Sequence, residues 1–282
     1  MHWREGKRVL VQAGANWSAH NAARLSAALS FYAALSLAPL LVISVTIATQ
    51  VVDTQVVRDT ILHQSSESLG KATADLLLSV IDHASKPGAT VTATILAILI
   101  AFYASSGLFN QLTDSVEYIY DVKRSGHIVK QFLLARIKAA VLLFGFLVLF
   151  VVWLSVDSIL GWLSRTNGTF IYWPFISLLT STAFATLVFA LTFRTIPRGR
   201  ILWREVWFGA IVTGVGFSVA KFLMSLYFTY SGIAAAYGSA GALLVILLWI
   251  YYSSQLLFYG FEVTRVISEQ RKSDLSPPSA SV

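Results

Sequence analysis

The 282-residue chain is 56% hydrophobic, only 12% charged, and carries a formal net charge of +7 with no cysteine. Its mean hydropathy is +0.69. An ordinary soluble domain has about a quarter of its residues charged, so the composition excludes a soluble enzyme, a disordered chain and a disulfide scaffold. The missing cysteines exclude thiolate catalysis and cysteine-ligated metals.

Taken in chain order, residues 8–24 read as an interfacial helix. Leu10, Ala13 and Trp17 share one face, which leaves Arg8, His20 and Arg24 for lipid headgroups. A spanning helix needs about 20 mainly apolar residues. Six stretches meet that need, near 25–52, 90–112, 139–160, 170–193, 206–228 and 239–263. None alternates with period two, so a β-barrel is not expected, and helices are the other way to satisfy the backbone in lipid.

In the first span Pro39 leaves the carbonyl of Leu35 without its helical donor, which predicts a kink. Residues 53–89 form a long loop in which Leu69, Ala72, Leu76, Leu77 and Val80 recur at helical spacing. That spacing predicts amphipathic outer helices, serving as a lid, as a docking surface or as helices resting on headgroups. The tail, 269–282, reads as disordered. The expected architecture is all-α, one polytopic domain over 1–268 with six transmembrane helices and an amphipathic outer loop between helices one and two.

Loop charges set the expected orientation. Sixteen of the 21 Lys and Arg residues fall before span one, after span two, after span four or after span six. Four (Arg58, Lys71, Lys86 and Arg165) fall on the other side. By the positive-inside rule both termini are cytoplasmic. The basic loops are short and suit anionic lipid better than nucleic acid.

Polar residues inside spans carry the functional signal, because a charged side chain in hydrocarbon costs at least about 2.5 kcal/mol unless it faces a protein interior or a wet cavity. On helix six, Tyr252, Gln255, Tyr259 and Glu262 share one face. On helix two, Ser106, Asn110, Thr113 and Glu117 share another, with Asp114 beside them. Both stripes deepen toward the cytoplasmic side. They predict either an acidic cavity open to the cytoplasm or interhelical glue. Lys221 and Asp157 lie at similar depth and are expected to pair with each other, or else Lys221 snorkels to headgroups. No histidine falls within a predicted span, and no hydrolase, nucleotide-binding or zinc-site motif is present. No enzyme activity, metal or cofactor is expected.

Three segments carry a resemblance: Ala27-Ala-Leu-Ser-Phe-Tyr-Ala-Ala-Leu-Ser-Leu-Ala-Pro39, then Arg194-Thr-Ile-Pro197 with Trp203-Arg204, and Tyr237-Gly-Ser-Ala-Gly241 leading to Trp249 and Gly260-Phe261-Glu262. Together they resemble the YihY/BrkB family of bacterial inner-membrane proteins, over about residues 10–268. The resemblance implies six spans, a bacterial inner-membrane location and no established catalytic motif. It singles out Tyr32, Ser36, Pro39, Asn110, Tyr237, Gly238, Trp249 and Glu262. Phe261 stands where a small residue is expected. The family has carried a ribonuclease BN label, and the metal-binding histidine pattern of such a nuclease is missing here. One member is linked to virulence and serum resistance, and some are suggested to export envelope lipid or solute.

The expected role is therefore to transport or handle a lipid or small solute through a cytoplasm-facing polar cavity. The expected partners are membrane lipids and that substrate, with no nucleic acid, and no oligomeric state is implied. The competing expectation is a non-transporting structural or interaction protein of the envelope.

Overall fold

A computed structural model describes residues 3–51, 107–122, 173–197, 201–231 and 239–275, with a few helical positions between 145 and 156. The described residues are helical apart from short turns. In chain order they form α1 (Trp3–Ala19), α2 (Ala22–Val51), α3 (107–119), α4 (Trp173–Thr195), α5 (Trp203–Ser231) and α6 (Ser239–Leu275). Three segments are long and apolar enough to cross a membrane: Phe175–Thr195, Trp203–Tyr227 and Leu243–Ser273. They coincide with the fourth, fifth and sixth expected spans. The bulk of spans two and three, Asp157, and the outer loop lie outside the described residues, as do Tyr237 and Gly238.

The chain divides into two compact units. One comprises 1–23, 113–221 and 255–282, and the other comprises 24–112 and 222–254. In the second unit Ser36 is buried and its hydroxyl donates to the Ala33 carbonyl of its own helix at 2.8 Å. A side chain added at Gly107 would run into the Tyr32 ring at 2.9 Å, so this glycine gives the ring its seat. α2 runs through Pro39 as one helix.

The first unit has two kinds of packing. α1 docks on α6 through Val9, Ala13, Val263 and Val266, all wholly or nearly wholly buried, with Leu10, Phe208, Tyr259 and Ile267 around them. The apolar face expected on α1 is therefore used, but its partner is α6. The α4–α5–α6 crossings rely on small residues. Gly209 faces Thr264 and the Gly260 carbonyl, Gly260 faces Thr213 and Phe193, and Gly214 faces Thr186. Absent side chains let the backbones approach closely, which substitutes for hydrophobic driving force between helices in lipid. On the opposite side of α5, Trp207, Ile211, Val215 and Val219 recur every fourth residue and are exposed. That apolar stripe suits hydrocarbon and not water.

The helix ends explain how this unit is held. α5 opens with Glu205 accepting from the Leu202 N–H at 3.1 Å, the reach-back half of a capping box. The same carboxylate forms an ion pair with Arg271 at 2.8 Å, tying the end of α6 to the start of α5. Arg194, in the last turn of α4, stacks over Trp203 at 5.7 Å. α6 continues past Val263 to Leu275, so residues 269–275, expected in the disordered tail, are helical. The Arg265–Glu269 pair, one turn apart at 2.6 Å, supports that extension.

Candidate functional site

Two helix C-termini meet α6 in the first unit. α1 ends at Asn21, which takes φ 52°, with its N–H bonded to the Ser18 carbonyl. Asparagine tolerates this left-handed position because its short side chain clashes little. α3 ends in the same way on Asp121, at φ 50°. There the Val122 N–H reaches the Glu117 carbonyl and the Asp121 N–H reaches the Tyr118 carbonyl, which completes a Schellman motif. The Ile119 carbonyl, which these bonds leave over, accepts from the Arg265 guanidinium. A cation thus caps the negative end of α3.

These turns deliver His20 and the 114–122 segment to Glu262. The Glu262 side chain is wholly buried. Its Oε1 lies 2.5 Å from His20 Nδ1. Its Oε2 is also buried and has no hydrogen-bond partner among the described residues. The other nitrogen of His20, Nε2, is 3.5 Å from Arg265 NH1, at the outer limit for such a contact. An arginine nitrogen only donates, so Nε2 accepts and Nδ1 carries the hydrogen that His20 gives to Glu262. The His20 ring also meets Tyr118 edge-on at 5.6 Å. Tyr120 donates to the Phe261 carbonyl at 3.3 Å. Burial, with the Glu262 charge adding to it, pushes the Tyr120 phenol above its ordinary pKa, so it stays a donor.

In front of this assembly opens a pocket of about 520 Å³, lined by His20, Asp114, Glu117, Tyr118, Asp121, Val122 and Arg265. Three carboxylates stand against one guanidinium, with His20 forming part of the wall.

The structure divides the residues of the expected polar stripes between the two units. Asp114 and Glu117 line the pocket, and Glu262 stands behind it. Tyr259 and Gln255 serve α1 docking. The Tyr259 hydroxyl donates to the Leu10 carbonyl at 3.1 Å, and the Gln255 carbonyl accepts from Trp17 Nε1 at 3.3 Å. Tyr252, Asn110, Tyr32 and Ser36 belong to the other unit. Tyr252 and Asn110 are exposed there. Lys221 is exposed among Val219, Phe222 and Leu223 on α5. Phe261 fills core space between Phe193 and Tyr120, with ring centroids at 4.7 and 6.4 Å, which accounts for a large residue beside Glu262.

His20 and Arg265 were missed by sequence reasoning. Hydropathy and charge counting leave His20 to lipid headgroups and Arg265 among the loop charges. The available signal was spacing: Val9, Ala13, Trp17 and His20 follow steps of four, four and three along α1, so His20 falls on the docking face.

The family described as virulence factor BrkB matches residues 13–281. The chain belongs to the BrkB family. It is a membrane protein with long apolar helices. Among curated relatives, a putative ribonuclease-like protein, YfkH, of Bacillus subtilis is 23% identical over 91% of this chain and 94% of its own length. A UPF0761 membrane protein of Nitrosospira multiformis is 24% identical over 89% of this chain and 59% of its own length. A UPF0761 membrane protein of Idiomarina loihiensis is 29% identical over 39% of this chain and 38% of its own length. The chain thus spans nearly all of the first relative but only 38 to 59% of the other two. No solved structure matches the chain.

Proposed function

We propose that this BrkB-family chain is a six-span protein of the bacterial inner membrane, with both termini in the cytoplasm, that moves or handles a lipid or small solute. The pocket lined by His20, Asp114, Glu117 and Arg265 is its cytoplasm-facing binding site. One observation carries this reading: a charged pocket of about 520 Å³ is walled by His20, which pairs with a wholly buried carboxylate, Glu262, in a chain that is otherwise poor in charge. Charges persist in such a setting when they face a cavity or each other. The loop-charge asymmetry supports the orientation. In this role Asp114 and Glu262 meet a cationic group or a proton on the substrate side.

Native mass spectrometry of the purified protein, wild type beside Glu262→Gln and Asp114→Asn, tests the reading. The expected result is a lipid or solute retained by the wild type and lost in either variant at equal folding. Identical bulk lipid on all three proteins would overturn the binding site.

A further inference from the structure

The His20–Glu262 pair has the parts of a proton relay. Glu262 is wholly buried, while His20 is 23% exposed and lines the pocket. Among the described residues, the imidazole connects Glu262 Oε1 to the pocket. The ring has a nitrogen for each side: Nδ1 on Glu262 and Nε2 toward the pocket wall and Arg265.

We propose that His20 and Glu262 form a proton-binding site that exchanges protons with the pocket, the coupled ion of the transport or handling role above, on which this inference rests. The step balances. A hydronium ion in the pocket gives its proton to the Nε2 lone pair and leaves as water. The Nδ1–H proton passes to Glu262 Oε1, so the carboxylate becomes a carboxylic acid. His20 ends neutral, with its hydrogen on Nε2 instead of Nδ1. No oxidant or further reactant is required.

The structure makes the two states differ beyond the proton. In the starting state Nε2 accepts from Arg265 NH1. After transfer Nε2 carries hydrogen, and two donors would face each other at 3.5 Å. Arg265 must then turn its NH1 away from the ring, while Glu269 still holds its Nε and the Ile119 carbonyl remains as an acceptor. Loading the proton thus removes one negative charge behind the pocket and loosens the cation that caps α3. The pocket carboxylates Asp114, Glu117 and Asp121 then feel Arg265 without the opposing Glu262 charge.

Around the pair, from α3 and its terminal turn, come Asp114, Glu117, Tyr118, Tyr120 and Asp121. From α6 come Arg265 and Glu269. From α5 comes Glu205, already paired with Arg271. Tyr120 stays protonated, and Glu205 and Glu269 each have an arginine. The remaining carboxylates line the pocket, where they gather hydronium ions.

The test uses the full chain in lipid nanodiscs and the proton itself as probe, read by infrared difference spectra across a pH titration. In the wild type, an imidazole signal and a carboxylic-acid carbonyl signal should change together, since coupled groups titrate in shared steps. Glu262→Gln should lose the carbonyl signal, and His20→Gln should lose the imidazole signal and move the carbonyl change to a different pH. A carbonyl signal that survives Glu262→Gln, or one that titrates independently of His20 in the wild type, overturns the proposal.

Nitrogen-15 histidine spectra of the wild type need no folded variant. They should show one ring switching from Nδ1–H to Nε2–H as the pocket is acidified, and a ring that keeps one tautomer overturns the relay. Ligand retention by mass spectrometry reads the transport role separately. A tautomer switch without a retained ligand would sink that role and leave the proton site standing.

Discussion

Two polar regions of the first unit behave in opposite ways. At the α4–α5–α6 crossings, the hydroxyls of Thr186, Thr192, Thr213 and Thr264 each donate to a carbonyl four residues back on their own helix. Thr182 does the same and adds one bond to Ser218 on the neighbouring helix. These groups are largely satisfied locally, and what they contribute across the interface is shape. At the α1–α3–α6 junction the bonds run the other way. His20 reaches Glu262, Arg265 reaches Ile119, Tyr120 reaches Phe261 and Tyr259 reaches Leu10. A polar residue in a membrane chain is thus diagnosed by where its hydrogen bond ends. A bond into its own helix signals packing, and a bond into another element beside a cavity signals a site.

The comparison is most forcefully broken at Gly260. A side chain there would collide with Thr213 and Phe193. Overpacking costs about 1–3 kcal/mol and occasionally more, and here one colliding partner is a buried aromatic ring in contact with Phe261. Gly260→Leu should therefore abolish recovery of monodisperse protein, as seen by size exclusion in detergent. Recovery at wild-type yield would show that the crossing is looser than described.

A smaller but still large effect is expected at the junction. His20→Ala leaves the buried Glu262 Oε1 without its partner, and a buried acceptor left unsatisfied costs about 1–3 kcal/mol. Chemical denaturation in nanodiscs should show this loss. Glu262→Gln combined with His20→Ala should cost less than the two single changes added, because they share one interaction. Additive costs would mean that the pair is not coupled.

Arg265→Leu comes next. It removes the cap from the Ile119 carbonyl and the partner of Glu269. A hydrogen bond from a charged group is worth about 1.5–3 kcal/mol. Hydrogen exchange should rise in residues 113–122 while α4 remains protected. Uniform exchange across both would remove the local role assigned to the arginine.

The smallest effect is expected at Ser36, whose hydroxyl bonds within its own helix. Ser36→Ala should change stability by less than about 1 kcal/mol and leave ligand retention intact. Loss of a retained ligand would move Ser36 from packing into the site.

What the sequence determined follows from local rules. Hydrophobic runs long enough for lipid mark α4, α5 and α6, and the Leu10–Ala13–Trp17 face marks an amphipathic helix at the start of the chain, read as lying on headgroups although it docks on α6. The helical face of Glu262 was legible too, since spacing alone fixes which side chains lie together on one helix. Its partner was not. His20 and Glu262 are 242 residues apart in the chain, and Arg265 and Ile119 are 146 apart. Periodicity tells which face is buried but carries no information about what it is buried against. The left-handed turns at Asn21 and Asp121 aim those segments, and the docking of α1 and α3 onto α6 brings them together. Only that tertiary arrangement turned a histidine assigned to lipid headgroups into the partner of a buried acid. An arginine counted among the loop charges became a helix cap for the same reason: charges near lipid must find partners, and the fold decides which ones they find.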